Sequence, residues 1–113
     1  MHATIDEFEM PDPARIDHVA GRLALLADPT RLRIVVALAQ GETNPSCLSE
    51  LTGAGMPAVS QHLAKLRLAG VCRAMRDGQR MVYELVDDEV RDLVIQLLNP
   101  DTTAIDATSA VQA

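Results

Sequence analysis

Ser60, Gln61, His62 and Lys65 fall close together in the segment MPAVSQHLAKLRLAG, residues 56–70, and Arg67 follows two residues later. These side chains recognise rather than transform. A glutamine can hydrogen-bond adenine bidentately, a histidine can meet guanine or a phosphate, and lysine and arginine neutralise backbone charge. Ser60 stands near a helix start, where free backbone amides face anions. Arg73, Arg76 and Arg80 come next and suit a minor groove or phosphates. An ordinary solvated helix face is the bland alternative. No nucleophile and base pair, phosphate loop or complete metal box occurs at usable spacing, so the residues argue against an enzyme.

Two cysteines, Cys47 and Cys72, are too few for a disulfide framework and are expected as thiols. As sensor candidates they would couple oxidation to the basic surface; as packed residues they would be small hydrophobes. His18 lies beside Asp17, and His2 in the amino-terminal stretch; both read as solvated or interface histidines. The residues assign no cofactor.

A chain of 113 residues holds one domain. Its apolar share of 48% includes only Phe8 and Tyr83 as aromatics, so the core must be aliphatic and a helical one is favoured. The net charge of −6 argues against nucleic acid, but its distribution reverses that. Residues 31–80 carry Arg31, Arg33, Lys65, Arg67, Arg73, Arg76 and Arg80 against Glu42, Glu50 and Asp77, while both ends are acidic. No apolar run reaches the roughly 18 residues of a spanning helix, and Asp6, Glu7 and Glu9 stand where a signal peptide would be positive. No membrane partner and a cytoplasmic location are the expectation.

The elements that must position these residues are marked by proline. Asp12-Pro13, Asp28-Pro29 and Asn44-Pro45 each pair a capping acceptor with a first helical proline, predicting helices over about 13–26, 29–40 and 45–52. The stripes are Ile16, Val19, Ala20, Leu23 and Leu26 in the first, Leu32, Val35, Val36 and Ala39 in the second, and Leu48 and Leu51 in the third. Ala54-Gly55-Met56 leads into a fourth helix opened by Pro57 and ended by Gly70. In it Val59, Leu63 and Leu66 oppose Ala58, Gln61, His62 and Lys65. Residues 71–76 and 80–86 flank Asp77-Gly78 as a hairpin, and a last helix over about 88–98 stripes Val90, Leu93, Val94 and Leu97.

That order is mainly α with a small β-hairpin: a winged helix-turn-helix in which 45–52 positions, 57–69 recognises and the hairpin is the wing. Residues 1–12 read as a flexible acidic arm, 13–99 as the DNA-binding and dimerisation domain, and 100–113 as a flexible tail. The first and last helices carry aliphatic stripes that a small core cannot cover, so a homodimer through Ile16, Val19, Leu23, Val90, Val94 and Leu97 is expected. A two-fold dimer sets its recognition helices about 34 Å apart, matching an imperfect palindrome in double-stranded DNA. The competing class is a winged helix whose recognition face meets an acidic protein, without specific DNA binding.

The stretches LADPTRLRIVVALAQG, LSELTG, AVSQHLAKLRLAGV and RDGQRMVYELVDDEVRDLV, over about residues 20–98, resemble the ArsR/SmtB family of dimeric winged-helix repressors. The resemblance implies a repressor released from its operator by an inducer, commonly a metal or metalloid ion; an oxidant acting at Cys47 and Cys72, a small organic ligand at the dimer seam, or constitutive repression fits the residues equally well. Met56 departs from relatives that start the recognition helix with a capping serine. Where relatives that bind soft metals carry Cys-x-Cys, this chain has Cys47 and Ser49. Where others have Asp-x-His, it has Asp87-Asp88-Glu89 with no later histidine and only Asp101 as a distant ligand. Cys47 alone cannot make the first site for a soft ion, and the oxygen ligands of the second do not suit zinc or nickel, so both sites are degenerate and the metal and the inducer stay unassigned.

Overall fold

The computed structural model describes residues 4–99. The expected tail over 100–113, with Asp101, and His2 lie outside the described residues. Five helices and one hairpin follow in order: α1 Pro13–Leu26, α2 Pro29–Gln40, α3 Pro45–Thr52, α4 Met56–Leu68, β1 Cys72–Asp77, β2 Arg80–Leu85 and α5 Asp88–Leu98. Before α1, the described part of the arm makes one 3-10 turn over Ile5–Glu7, with every side chain exposed.

The three proline-marked starts form as their chemistry dictates. Asp12 accepts from the Ala14 backbone N–H, Asp28 from that of Arg31 and Asn44 from that of Cys47, at 2.9–3.1 Å. Each satisfies a backbone donor that a helix start leaves unpaired. The fourth helix starts one residue earlier than Pro57, at Met56; Gly55 is its cap, and no side chain accepts a hydrogen bond there. At its other end, Gly70 at φ 76° lets the Val71 N–H reach Leu66 O at 2.9 Å and the Gly70 N–H reach Arg67 O at 2.9 Å. This pairing closes the helix and turns Val71 into the core.

The core sits around α2. Ile34, Val35 and Leu38 meet Leu48 of α3, Val59, Leu63 and Leu66 of α4, Val71, Cys72 and Leu85 of the hairpin, and Val90 and Val94 of α5. The stripe expected on α2 was too narrow. Ile34 and Leu38 are buried as well, because neighbours pack on several sides of this helix. Leu51, expected to face inward with Leu48, is exposed.

α1 contributes only Leu26 to the buried set and is tied to α5 by ion pairs: Arg22 Nε to Asp87 Oδ2 at 2.9 Å and Arg15 Nη2 to Glu89 Oε2 at 2.8 Å. The Arg22 pair is mostly buried, at 25% and 11% side-chain exposure, and Asp87 also caps α5 through the Val90 N–H. Removing Arg22 strands a desolvated carboxylate. Arg22→Ala should therefore cost about 1–3 kcal/mol of stability, read as a lower denaturant midpoint at unchanged m, whereas Arg15→Ala should cost well under 1.

The hairpin pairs Cys72 with Leu85 through Asp77 with Arg80, so its two-residue loop is Gly78-Gln79, one residue later than expected. Only Gly78 takes positive φ, at 66°, which fits a type II′ turn. Halfway along β2 a third extended residue joins: Thr43 N donates to Tyr83 O at 3.1 Å and Tyr83 N to Thr43 O at 2.7 Å.

Candidate nucleic-acid interface

The α3–α4 turn is fixed by its own polar side chains. Ser49 Oγ donates to Ala54 O at 2.6 Å, Thr52 Oγ1 to Leu48 O at 2.7 Å, and the Ala54 N–H to Thr52 Oγ1 at 3.2 Å. Ser49 therefore stitches the turn at the place where the resemblance would put a second metal-binding cysteine. With Val59, Leu63 and Leu66 locked into the core, the opposite side of α4 is held outward as a fixed surface.

That surface has two rows. Gln61 and Lys65 are one helical turn apart and exposed; Ser60 and Arg67, spaced by seven, form a flanking row on the side nearer β1 and are exposed too. Arg67 lies close enough to Cys72 for its charge to act on the thiol.

His62 is a correction. It was expected beside Gln61 on the open face, but its side chain is 19% exposed and turned onto the start of α2. Its Nδ1 lies 3.3 Å from Arg31 Nη1, and its Nε2 lies 3.9 Å from Asp28 Oδ1. The ring is occupied within the fold, so a direct contact to a base is not its resting arrangement. Asp28 is held below the ordinary carboxylate range, first by the backbone N–H of Arg31, against some desolvation, and next by the charge of His62.

The wing arginines also divide. Arg73 pairs with Glu84 at 2.9 Å directly across the ladder, so its charge is largely answered within the hairpin. Arg76 and Arg80 are exposed beside the tip, on opposite faces of the ribbon.

The cysteines differ sharply. Cys72 is buried in the core, and desolvation pushes its thiol up to about 11 against the smaller pull of Arg67. Thiolate is the reactive form, so burial holds Cys72 in its unreactive thiol form, as the packed-residue alternative expects. Cys47 is exposed near the start of α3. Among the described residues no group of three or more His, Cys, Asp or Glu side chains could hold a metal ion, and no helix is long and apolar enough to cross a membrane.

For the dimer, Ile16, Val19, Leu23 and Leu97 stand exposed on α1 and α5 as expected. Val90 and Val94 do not. They are 2% and 3% exposed, drawn into the protomer's own core, and they form the floor of two adjoining grooves between α1 and α5 rather than an outward crest. Those grooves measure about 220 and 120 Å³ and are walled by Leu23 and Leu93.

Arg31, Asp28 and Thr43 were not singled out from the sequence as site residues. Arg31 had a signal in its place in Asp-Pro-Thr-Arg, but the histidine it meets is 31 residues away.

Comparison with known proteins agrees with this arrangement. The family model described as bacterial regulatory protein, arsR family, matches residues 28–73, from the α2 cap to the start of the wing. The HTH-type transcriptional regulator KmtR of Mycobacterium tuberculosis is 43% identical over 88 residues, covering 75% of this chain and 68% of its own. The crystal structure of the transcriptional repressor BigR from Xylella fastidiosa superposes with a TM-score of 0.71 at 33% identity, over 74% of this chain and 86% of that one. A homodimeric winged helix-turn-helix DNA-binding domain from Mycobacterium bovis matches 96% of this chain and 94% of its own, with a TM-score of 0.69 and 26% identity. Because the matched segment contains the stitched turn, the outward face of α4 and the helix starts that hold them, the chain belongs to the ArsR family of bacterial regulatory proteins and is a winged-helix transcriptional regulator, not an enzyme.

Proposed function

We propose that residues 13–99 form one DNA-binding and dimerisation unit that represses transcription by occupying an imperfect palindromic operator in the cytoplasm. One observation carries the reading: the Gln61–Lys65 row points to solvent from a helix whose other side is fully packed. Gln61 reads a base edge in the major groove. Ser60, Lys65 and Arg67 hold phosphates, and Arg76 and Arg80 grip the backbone or minor groove beside it. Arg73, paired with Glu84, is a weaker contributor. The exposed α1 and α5 residues form the two-fold seam that sets the helix spacing.

An inducer, a metal ion, an oxidant or a small molecule, shifts the dimer between tight-binding and weak-binding forms. Cys47 is the exposed soft donor available to it. The deciding experiment is fluorescence anisotropy of the purified protein on its own promoter fragment and on a scrambled duplex, over a salt series. Zinc, nickel, cadmium, arsenite and diamide are added separately. Preference for the promoter supports the reading, and equal, weak binding to both duplexes favours a protein-contact module. Release by cadmium or diamide that persists in Cys47→Ser would move the sensor elsewhere.

In the same assay Arg76→Ala should weaken promoter and scrambled duplex alike. It should flatten the log–log salt slope by about 1 per protomer, since one phosphate contact releases about one counterion.

A further inference from the structure

His62 and Arg31 sit where three elements meet. The Arg31 Nε–H donates to Leu25 O in the last turn of α1 at 2.8 Å, its backbone N–H is held by Asp28 Oδ1 at 2.9 Å, and its Nη1 faces His62 Nδ1 on α4 at 3.3 Å. A guanidinium has donors and no acceptor, so in this contact Nδ1 must be the unprotonated nitrogen. The neutral ring then carries its proton on Nε2, the atom nearer Asp28. The ring is thus polarised between a cation that needs its lone pair and an anion that faces its N–H.

Resting on the DNA-binding reading above, we propose that Arg31 and His62 are a positioning pair: a neutral clamp that fixes the recognition helix against α2 and the end of α1, and that opens when His62 takes up a proton. Protonation places an N–H on Nδ1 against the Arg31 guanidinium, replacing a hydrogen bond with like charges at 3.3 Å. Asp28, the other charged group that faces the ring from α2, attracts the imidazolium only from 3.9 Å. On its own helix the ring has the Lys65 ammonium three residues on, which adds a second positive charge. The balance moves the ring away from Arg31, and the recognition helix loses its tie to α1. Gln61, next to His62, is then presented at a different angle.

The test uses the full chain and a duplex enriched by the protein from a random pool at pH 8. Anisotropy is followed from pH 5.5 to 8 at constant ionic strength, and the His62 tautomer in the free protein is read by long-range proton–nitrogen correlation NMR. The expected result is an Nε2–H ring at pH 8 and a loss of affinity of about tenfold per protomer between pH 7.5 and 5.5, as one uncompensated protonation in each gives. His62→Asn can offer Arg31 an amide oxygen and cannot be protonated. It should keep the pH 8 affinity and lose the pH dependence, while Arg31→Ala should weaken binding throughout and also flatten the profile. An Nδ1–H ring at pH 8, or a full pH slope in His62→Asn, overturns the proposal. So does a His62→Asn protein whose base preference changes at one operator position, since the ring would then be reading DNA. If no duplex can be enriched, the DNA-binding reading fails first, and the tautomer spectrum still reports on the clamp separately.

Discussion

Leu23→Glu is expected to give a monomer that binds a full operator about 100-fold or more less tightly than the parent protein. Leu23 is half exposed and walls both grooves between α1 and α5, so at a two-fold seam its substitution places two carboxylates in an apolar contact. An unpaired charge buried there costs several kcal/mol per ion. Affinity falls further because linked half-sites strengthen binding by factors of about 100 to 10,000 through effective concentration, and a monomer forgoes that gain. Sedimentation velocity and anisotropy on one-half-site and two-half-site duplexes read both effects. A Leu23→Glu protein that still sediments as a dimer and keeps its preference for two half-sites would put the seam elsewhere. Leu97→Glu is the companion on α5.

The second large effect belongs to Gln61. Gln61→Ala should lower operator affinity by about 1–3 kcal/mol per half-site, as the loss of a bidentate base contact does, and leave the scrambled duplex nearly untouched. The ratio of the two affinities is therefore the informative number. Because Gln61 is exposed and its helix is held by Val59, Leu63 and Leu66, the melting temperature should not move. An equal loss on both duplexes would make Gln61 a backbone contact.

Local chemistry explains why so much of the architecture could be read from the chain. An Asp or Asn before a proline caps the following helix with atoms two or three residues away, and all three such starts form where expected. The aliphatic side of α4 was legible for a similar reason, since periodicity within one helix identifies the side that packs. What was hidden depends on neighbours distant in sequence. His62 shares the polar side of α4 with Gln61, and only the approach of the α2 start turns one inward and leaves the other in solvent. Val90 and Val94 lie on one stripe with Leu97, but that stripe serves two surfaces, the protomer core at its base and open solvent at its end. Arg73 looked equivalent to Arg76 until strand register set Glu84 opposite it. Thr43 gave no sign of pairing, because one extended residue in a connection has no period to read.

That Thr43 pairing has a mechanical consequence. Two hydrogen bonds rivet Tyr83, halfway along β2, to the link between α2 and α3, while the turn end with Arg76 and Arg80 projects exposed beyond that point. The ribbon is built as a cantilever: its inner half is tied to the helical body and must travel with it, and its tip arginines stand on the half held by the ladder alone. On the DNA-binding reading proposed above, a shift of that body is therefore delivered to the flanking phosphates at the same moment as to the bases.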